Sequence, residues 1–145
     1  MFEVTEVSIA ELRAALEAGR TTAVELVEAY LARIDAYDGA DTTTQLNAVV
    51  VRNPDALKEA EASDARRARG EPLSPLDGIP YTAKDSYLVK GLTAASGSPA
   101  FKDLVAQRDA FTVERLRAAG AICLGKTNMP PMACLLYTSP SPRDS

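Results

Sequence analysis

Residues 78–85 read Gly-Ile-Pro-Tyr-Thr-Ala-Lys-Asp and predict a short strand that ends in a lysine. Gly78 and Pro80 indicate a stiff turn at the start of this strand. Residues 79–83 are mostly apolar, as in a buried strand. A lysine at the end of a buried strand must either find a counter-charge or give up its proton. Lys84 is therefore a candidate for a functional residue, although the strand alone favours an ordinary solvated lysine.

Strand and helix signals alternate on both sides of this stretch. Residues 46–51 and 121–124 form short apolar runs that are typical of buried strands. Strands that alternate with helices predict the α/β class with a largely parallel sheet. The sequence shows no internal repeat and no second domain.

Local capping signals predict two helices near the amino terminus. Residues 8–11 and 22–25 both have the capping-box form, in which a hydroxyl and a glutamate satisfy free backbone N–H groups. Gly19 and Gly39 occupy positions where left-handed carboxyl-terminal caps are expected. These helices are interpreted as scaffold.

Two further helices are predicted later in the chain. Asn53 supplies an N-cap and Pro54 the first helical residue, and Gly70 ends that helix. Asp109 is expected to cap the next helix, which Gly120 ends.

The composition restricts the partners of this chain. Of its 145 residues, 46% are hydrophobic and 25% are charged, which are ordinary values for a globular domain. A net charge of −4 argues against nucleic acid and against an anionic membrane surface. No apolar run is long enough to span a bilayer. Residues 1–6 are acidic and lack the basic region of a signal peptide, so a cytoplasmic location is expected.

The scarcity of histidine and cysteine restricts the chemistry. The chain has no histidine and two cysteines, Cys123 and Cys134. Histidine-based triads and metal sites are therefore excluded from this segment, and so is a four-ligand zinc site. No cofactor is predicted, and acid–base chemistry must use lysine, carboxylate, tyrosine or hydroxyl groups.

Three stretches carry a resemblance to a known family. Residues 78–85, 91–101 and 112–129 resemble the opening of the amidase signature family. Such enzymes cleave carboxamide C–N bonds with a serine, a second serine in a cis peptide, and a lysine. The resemblance implies an α/β fold with a mixed, mostly parallel sheet flanked by helices. Residues 1–133 would form the N-terminal portion of a single amidase domain, which is incomplete because the chain is truncated.

Lys84 is the one catalytic residue that the resemblance assigns. It would relay a proton through the cis serine and so activate the serine nucleophile. To act as a base near neutral pH, the amine must have its pKa lowered by about 3 units from 10.4, which corresponds to about 4 kcal/mol. Both family serines would lie beyond Ala133. Ser96 and Ser98 are therefore interpreted as residues that hydrogen-bond locally and shape the pocket wall.

The alternative for Lys84 is a solvated strand-end lysine that pairs with Asp85. Asp85 is expected to position a loop or to hydrogen-bond with backbone groups. Lys126 and Asn128 match the family pattern and are interpreted as structural. The family commonly has an acidic–aromatic pair after Thr-Asn-Met, whereas residues 130–132 of this chain read Pro-Pro-Met.

Residues 120–127 match the phosphate-binding pattern G-x-x-x-x-G-K-[ST] letter for letter. That site needs a strand before the first glycine, a flexible loop between the glycines and a helix after them. Here a helix is predicted before Gly120, and the intervening residues are strand-forming and apolar. Nucleotide binding is therefore rejected.

Residues 134–145 fit nothing in the amidase family. They resemble the in-frame translation of a transposon-end adapter used in DNA sequencing libraries, and are interpreted as a non-native tail. Because the nucleophile and the oxyanion hole would be missing, the chain as given is predicted to be inactive. Uncovered strand edges predict that it associates with itself.

Three functions remain open at this point. The leading one is an amidase-type hydrolase that acts on a small-molecule amide substrate, with no nucleic-acid or membrane partner and with an oligomer possible. A second is the amidase subunit of a glutamine-dependent tRNA amidotransferase, which residues 130–132 mildly disfavour. The third is a non-catalytic α/β module in which Lys84 is structural.

Overall fold

The computed structural model describes residues 2–133 and places helices on both faces of a small sheet. In chain order the elements are α1 Ile9–Glu17, α2 Ala23–Tyr37, β1 Val49–Arg52, α3 Ala56–Ala68, β2 Pro80–Lys84, α4 Phe111–Ala118 and β3 Ile122–Thr127. Short 3₁₀ turns lie at Pro99–Phe101 and Pro131–Ala133. Within residues 2–133, no helix is long and apolar enough to cross a membrane.

The sheet has the strand order β1-β3-β2, with β3 in the centre. β2 runs parallel to β3, with Ala83 beside Lys126 and Lys84 beside Thr127. β1 pairs with β3 in the antiparallel direction. The predicted α/β class with a mixed sheet flanked by helices is confirmed, and β1 is the strand that departs from the parallel arrangement.

β3 is buried because its side chains contact helices on both faces of the sheet. Ile122 and Leu124 pack in one hydrophobic cluster with residues of α2 and α3. Cys123 lies on the other face, in a cluster with Val113 of α4 and Val89. Apolar burial on both faces is expected of a central strand between helical layers.

The capping predictions for α1 and α2 are confirmed. Ser8 and Thr22 each accept a hydrogen bond from the backbone of the third helical residue. The carboxylates of Glu11 and Glu25 accept hydrogen bonds from the backbone N–H groups of the two cap residues in return. Gly19 follows α1 with φ of 63°, the left-handed conformation expected there.

The prediction that Gly39 forms a left-handed cap is wrong. Gly39, which follows the cap residue Asp38, does not have a positive φ. The Asp38 carboxylate accepts hydrogen bonds from the N–H groups of Ala48 and Val49, at 2.5 and 3.0 Å. This side chain links the end of α2 directly to the start of β1, so the left-handed turn is not needed.

The local contact predicted for Asn53 is present. Asn53 Oδ1 accepts from the N–H of Asp55 at 3.0 Å, just before regular α3 begins. The side-chain amide of Asn53 also donates to the carbonyl of Cys123 at 2.8 Å.

The prediction that Asp109 caps a helix is wrong. The Asp109 carboxylate accepts from the N–H of Lys90 at 2.7 Å and pairs with Arg117 at 2.7 Å. This side chain makes long-range contacts instead of a local cap.

Candidate active site

Lys84 is the last residue of β2, and its side chain is exposed. The flanking residues Ala83 and Asp85 are both buried. Because side chains alternate along a strand, Lys84 extends from the opposite face of the sheet. The Lys84 amine forms no ion pair with any residue in the range 2–133.

The backbone around Lys84 is held on both sides. The N–H of Asp85 donates to the carbonyl of Thr127 at 2.9 Å, which continues the pairing of β2 with β3. The N–H of Tyr87 donates to the carbonyl of Lys84, also at 2.9 Å, and closes a turn. The Lys84 amine is therefore a free group on a fixed backbone.

An open groove of about 200 Å³ lies beside Lys84. Tyr81, Tyr87, Val113 and Leu116 contribute to its walls. Burial raises the pKa of Tyr81 above its ordinary range, so this hydroxyl stays protonated at neutral pH. Val113 packs on the face of the sheet opposite the Lys84 side chain, so the groove borders Lys84 along the edge strand β2.

A buried ion pair lies on the face of the sheet opposite the Lys84 side chain. Lys126 is fully buried, and Asp85 is 2% exposed. The Lys126 Nζ is 3.3 Å from Asp85 Oδ1 and donates to the carbonyls of Asp85 and Thr93 at 3.2 and 2.8 Å. Asp85 Oδ2 accepts from the N–H of Gly97 at 3.1 Å. Asp85 Oδ1 accepts no hydrogen bond from a described residue, so its contact with Lys126 is an ion pair only. The two carbonyls therefore orient the ammonium group of Lys126.

These contacts bear on three of the sequence interpretations. Lys84 is a solvent-exposed strand-end residue, as its alternative predicted, but the pairing with Asp85 is wrong because the Asp85 carboxylate pairs with Lys126. The predicted contact of Asp85 with the loop backbone is present, and Lys126 is buried beside it. Sequence reasoning missed that these two residues are partners.

Ser96 and Ser98 lie in the segment that Asp85 holds. Ser98 lines an open groove of about 300 Å³ together with Asp85 and Asn128, as a pocket-wall residue was predicted to do. Ser96 has φ of 51°, and its carbonyl accepts from the N–H of Met132 at 2.8 Å. Ser96 thus connects the loop to the residues after β3 through its backbone.

The phosphate-binding pattern at residues 120–127 forms a strand. β3 extends to Thr127, beyond the predicted 121–124, and Gly125 and Lys126 are paired within the sheet. The predicted strand between the two glycines is confirmed, and a strand offers no flexible loop for a phosphate. Among the described residues, no group of three or more His, Cys, Asp or Glu is placed to hold a metal ion.

Comparison with known proteins identifies the class of this chain. A family model described as Amidase matches residues 25–144. The chain therefore belongs to the amidase family, as the resemblance predicted.

Particular relatives fall into two groups. A glutamyl-tRNA(Gln) amidotransferase subunit of Thioalkalivibrio sulfidiphilus is 45% identical over 129 residues, which are 88% of this chain and 25% of that protein. The same subunit of Thermobifida fusca is 42% identical over 134 residues, which are 92% of this chain and 26% of that protein. The native peptide amidase of Stenotrophomonas maltophilia has a TM-score of 0.84 at 41% identity, over 90% of this chain and 26% of that one.

The chain thus spans about a quarter of the length of the relatives it matches. The names of the curated relatives contradict the expectation of a simple small-molecule amide substrate with no nucleic acid involved, because they specify glutamyl-tRNA(Gln) and one subunit of a larger enzyme. That expectation rests on the net charge. Overall charge reports the tendency of a surface to bind a phosphate backbone, but it identifies neither the substrate nor the subunits of an enzyme.

Proposed function

We propose that residues 1–133 are the N-terminal portion of an amidase domain that cleaves a carboxamide C–N bond, with Lys84 as its base. The observation that carries this proposal is the free amine of Lys84 on a fixed strand end, inside the match to the amidase family. Residues 134–145, which lie outside the described residues, are proposed to be a non-native tail, and this proposal must account for a family match that extends to residue 144. The expected cytoplasmic location stays a prediction.

The proposed chemistry is acyl transfer through a Ser–cis-Ser–Lys triad. The neutral Lys84 amine accepts a proton from the cis serine, which accepts one from the nucleophilic serine as its oxygen attacks the amide carbon. The C–N bond then breaks, the amine leaves with a proton, and an acyl-enzyme ester remains for a second nucleophile. Backbone N–H groups stabilise the oxyanion. Both serines and those donors belong to sequence beyond Ala133.

The amidase subunit of a glutamine-dependent tRNA amidotransferase is the first specific candidate. Relatives that are named as a subunit of glutamyl-tRNA(Gln) amidotransferase reach 45% identity over 88% of this chain. In this role the amide is that of glutamine, and the ammonia released from it passes to a partner subunit.

A peptide amidase is the second candidate. It is supported by the close similarity to the peptide amidase of Stenotrophomonas maltophilia, with a TM-score of 0.84. Residues 130–132, which depart from the common acidic–aromatic pattern of the family, mildly disfavour the amidotransferase subunit. Both candidates use the same triad, so Lys84 serves each of them.

The experiment uses the complete amidase-length protein that carries residues 1–133. Lys84→Ala should lower kcat for amide cleavage by about 10²–10⁴-fold, the usual contribution of a general base. Lys58→Ala is the matched control, because Lys58 is exposed on α3. Unchanged turnover in Lys84→Ala would leave Lys84 only a structural role.

The substrate assays separate the two candidates. Ammonia release from glutamine that depends on added partner subunits and glutamyl-tRNA(Gln) supports the amidotransferase. Release from peptide amides by the isolated protein supports the peptide amidase. The gene sequence tests the proposed boundary, because a reading frame that continues past codon 133 without a Gly/Ser-rich segment contradicts it.

A further inference from the structure

We propose that the buried Asp85–Lys126 ion pair is a positioning device for Lys84. The pair does not touch the Lys84 amine and lies on the other face of the sheet. It acts through the backbone, by fixing the segment that leaves β2 immediately after Lys84. This inference rests on the proposed function, because it assumes that the position of Lys84 matters for catalysis.

The partners of the ion pair all belong to one stretch of chain. Lys126 Nζ donates to the carbonyls of Asp85 and Thr93, and Asp85 Oδ2 accepts from the N–H of Gly97. Every one of these groups lies within residues 85–97, except the lysine itself, which is anchored in the central strand. One ammonium group and one carboxylate thus fasten the whole segment after Lys84 to β3.

The segment also packs closely against the chain that follows β3. Gly97 has φ of 67°, and a Cβ atom there would lie 2.5 Å from the carbonyl oxygen of Met129. The loop therefore packs backbone to backbone against the chain that follows β3. A shift of the loop is transmitted to Lys84 through residues 85–87, because the N–H of Tyr87 donates to the Lys84 carbonyl.

Stability alone is a poor reason for this pair. A buried ion pair loses the hydration of both charges, and well-packed apolar side chains at the same positions often give equal or greater stability. Apolar side chains could replace Asp85 and Lys126 at this place, because Ala83, Val89 and Leu92 already form a hydrophobic cluster on the same face of the sheet. What the ion pair adds is direction, because its hydrogen bonds fix orientation as apolar contacts do not.

The central test is a variant without either charge, Asp85→Asn/Lys126→Met, in the complete protein. Removing both charges avoids leaving one of them buried and unpaired, so this variant should fold and melt near the wild-type temperature. We expect its kcat to fall by about 10²-fold, the effect of a misplacement of about 1 Å. Its KM should change by less than about threefold, since no substrate contact is assigned to the pair.

A buried ion pair far from Lys84 provides the matched control. Asp77 is fully buried and pairs with Arg66 at 2.7 Å, before the start of β2. Asp77→Asn should lower the melting temperature and leave kcat of the folded protein unchanged. A purely structural role for Asp85 and Lys126 predicts that kcat is unchanged in Asp85→Asn/Lys126→Met as well.

A double-mutant cycle with Lys84→Ala separates this inference from the proposed function. If the pair acts through Lys84, adding Asp85→Asn/Lys126→Met to Lys84→Ala causes no further loss of kcat. The inference is overturned if the losses of kcat multiply in the combined variant, or if the variant without charges keeps the wild-type kcat. In either case a lowered kcat in Lys84→Ala still supports the proposed function. Unchanged kcat in Lys84→Ala alone overturns the proposed function instead.

Discussion

Replacing Lys126 by methionine removes a buried ammonium group and keeps an unbranched apolar stem. In the structure this ammonium contacts the Asp85 carboxylate at 3.3 Å and the carbonyls of Asp85 and Thr93 at 3.2 and 2.8 Å. After the substitution, the carboxylate of Asp85, which is 2% exposed, keeps only the hydrogen bond from Gly97 among the described residues. The change therefore leaves a buried charge without its counter-ion.

The expected cost follows from that uncompensated charge. Removal of one partner from a buried ion pair typically costs about 3–5 kcal/mol. The lost hydrogen bonds to two carbonyls are part of this cost, at about 1 kcal/mol each. We expect a loss of about 4 kcal/mol in the free energy of unfolding, a large fraction of the roughly 5–15 kcal/mol that is usual for a domain.

Urea unfolding of the 145-residue chain, followed by circular dichroism at low protein concentration, measures this loss. The dependence of the unfolding free energy on urea concentration should be the same in the wild type and the variant. Lys58→Met is the control, since an exposed substitution on α3 should stay within about 0.5 kcal/mol. Adding Asp85→Asn to Lys126→Met should restore most of the stability, because neither charge is then buried alone. A loss below about 1 kcal/mol for Lys126→Met, or no recovery in the double variant, would refute the reasoning.

Two further predictions concern acid stability and the isolated chain. Burial opposes the ionisation of Asp77, but hydrogen bonds from Arg66 and from the N–H of Leu73 outweigh it and hold the pKa below the ordinary 3.8. A depressed folded pKa stabilises the fold above the unfolded value, and this stabilisation is lost as pH falls through the folded value. Unfolding free energies should therefore drop below about pH 4, and Asp77→Asn should flatten that drop; an identical acid profile in this variant is the contrary result. Separately, the purified 145-residue chain should show no amide turnover, and measurable acyl transfer would contradict this. The same chain should associate through the edge strands β1 and β2, and sedimentation as a monomer at every concentration would contradict that.

Local signals in the sequence predicted the features that are themselves local. The capping boxes at residues 8–11 and 22–25 form as expected, because their partners lie within one turn of helix. The lysine strand and its end at Lys84 were also visible, since a turn, an apolar run and a charge follow one another there.

Long-range contacts explain what the sequence did not reveal. Gly39 and Asp109 looked like caps, but the carboxylates of Asp38 and Asp109 accept hydrogen bonds from backbone groups elsewhere in the chain. A propensity for capping yields to such tertiary contacts.

The partner of Asp85 was hidden for the same reason. Residues 85 and 126 are far apart in sequence, and only the parallel register of β2 with β3 brings them together. The available signal was a lysine at the end of an apolar run, in residues 121–126, which implies a buried counter-charge. The same signal is present at Lys84 and at Lys126, and only the Lys126 amine has a buried counter-charge among the described residues.

The rate of acyl-enzyme formation tests the role of Lys84 most directly. Intact-mass measurement on the complete amidase-length protein, mixed rapidly with an amide substrate, follows the acylated serine before turnover complicates the signal. The wild-type protein and Lys58→Ala should acylate at the same rate, and Lys84→Ala should acylate about 10²–10⁴-fold more slowly. Acylation of Lys84→Ala at the wild-type rate would show that this lysine is not the base.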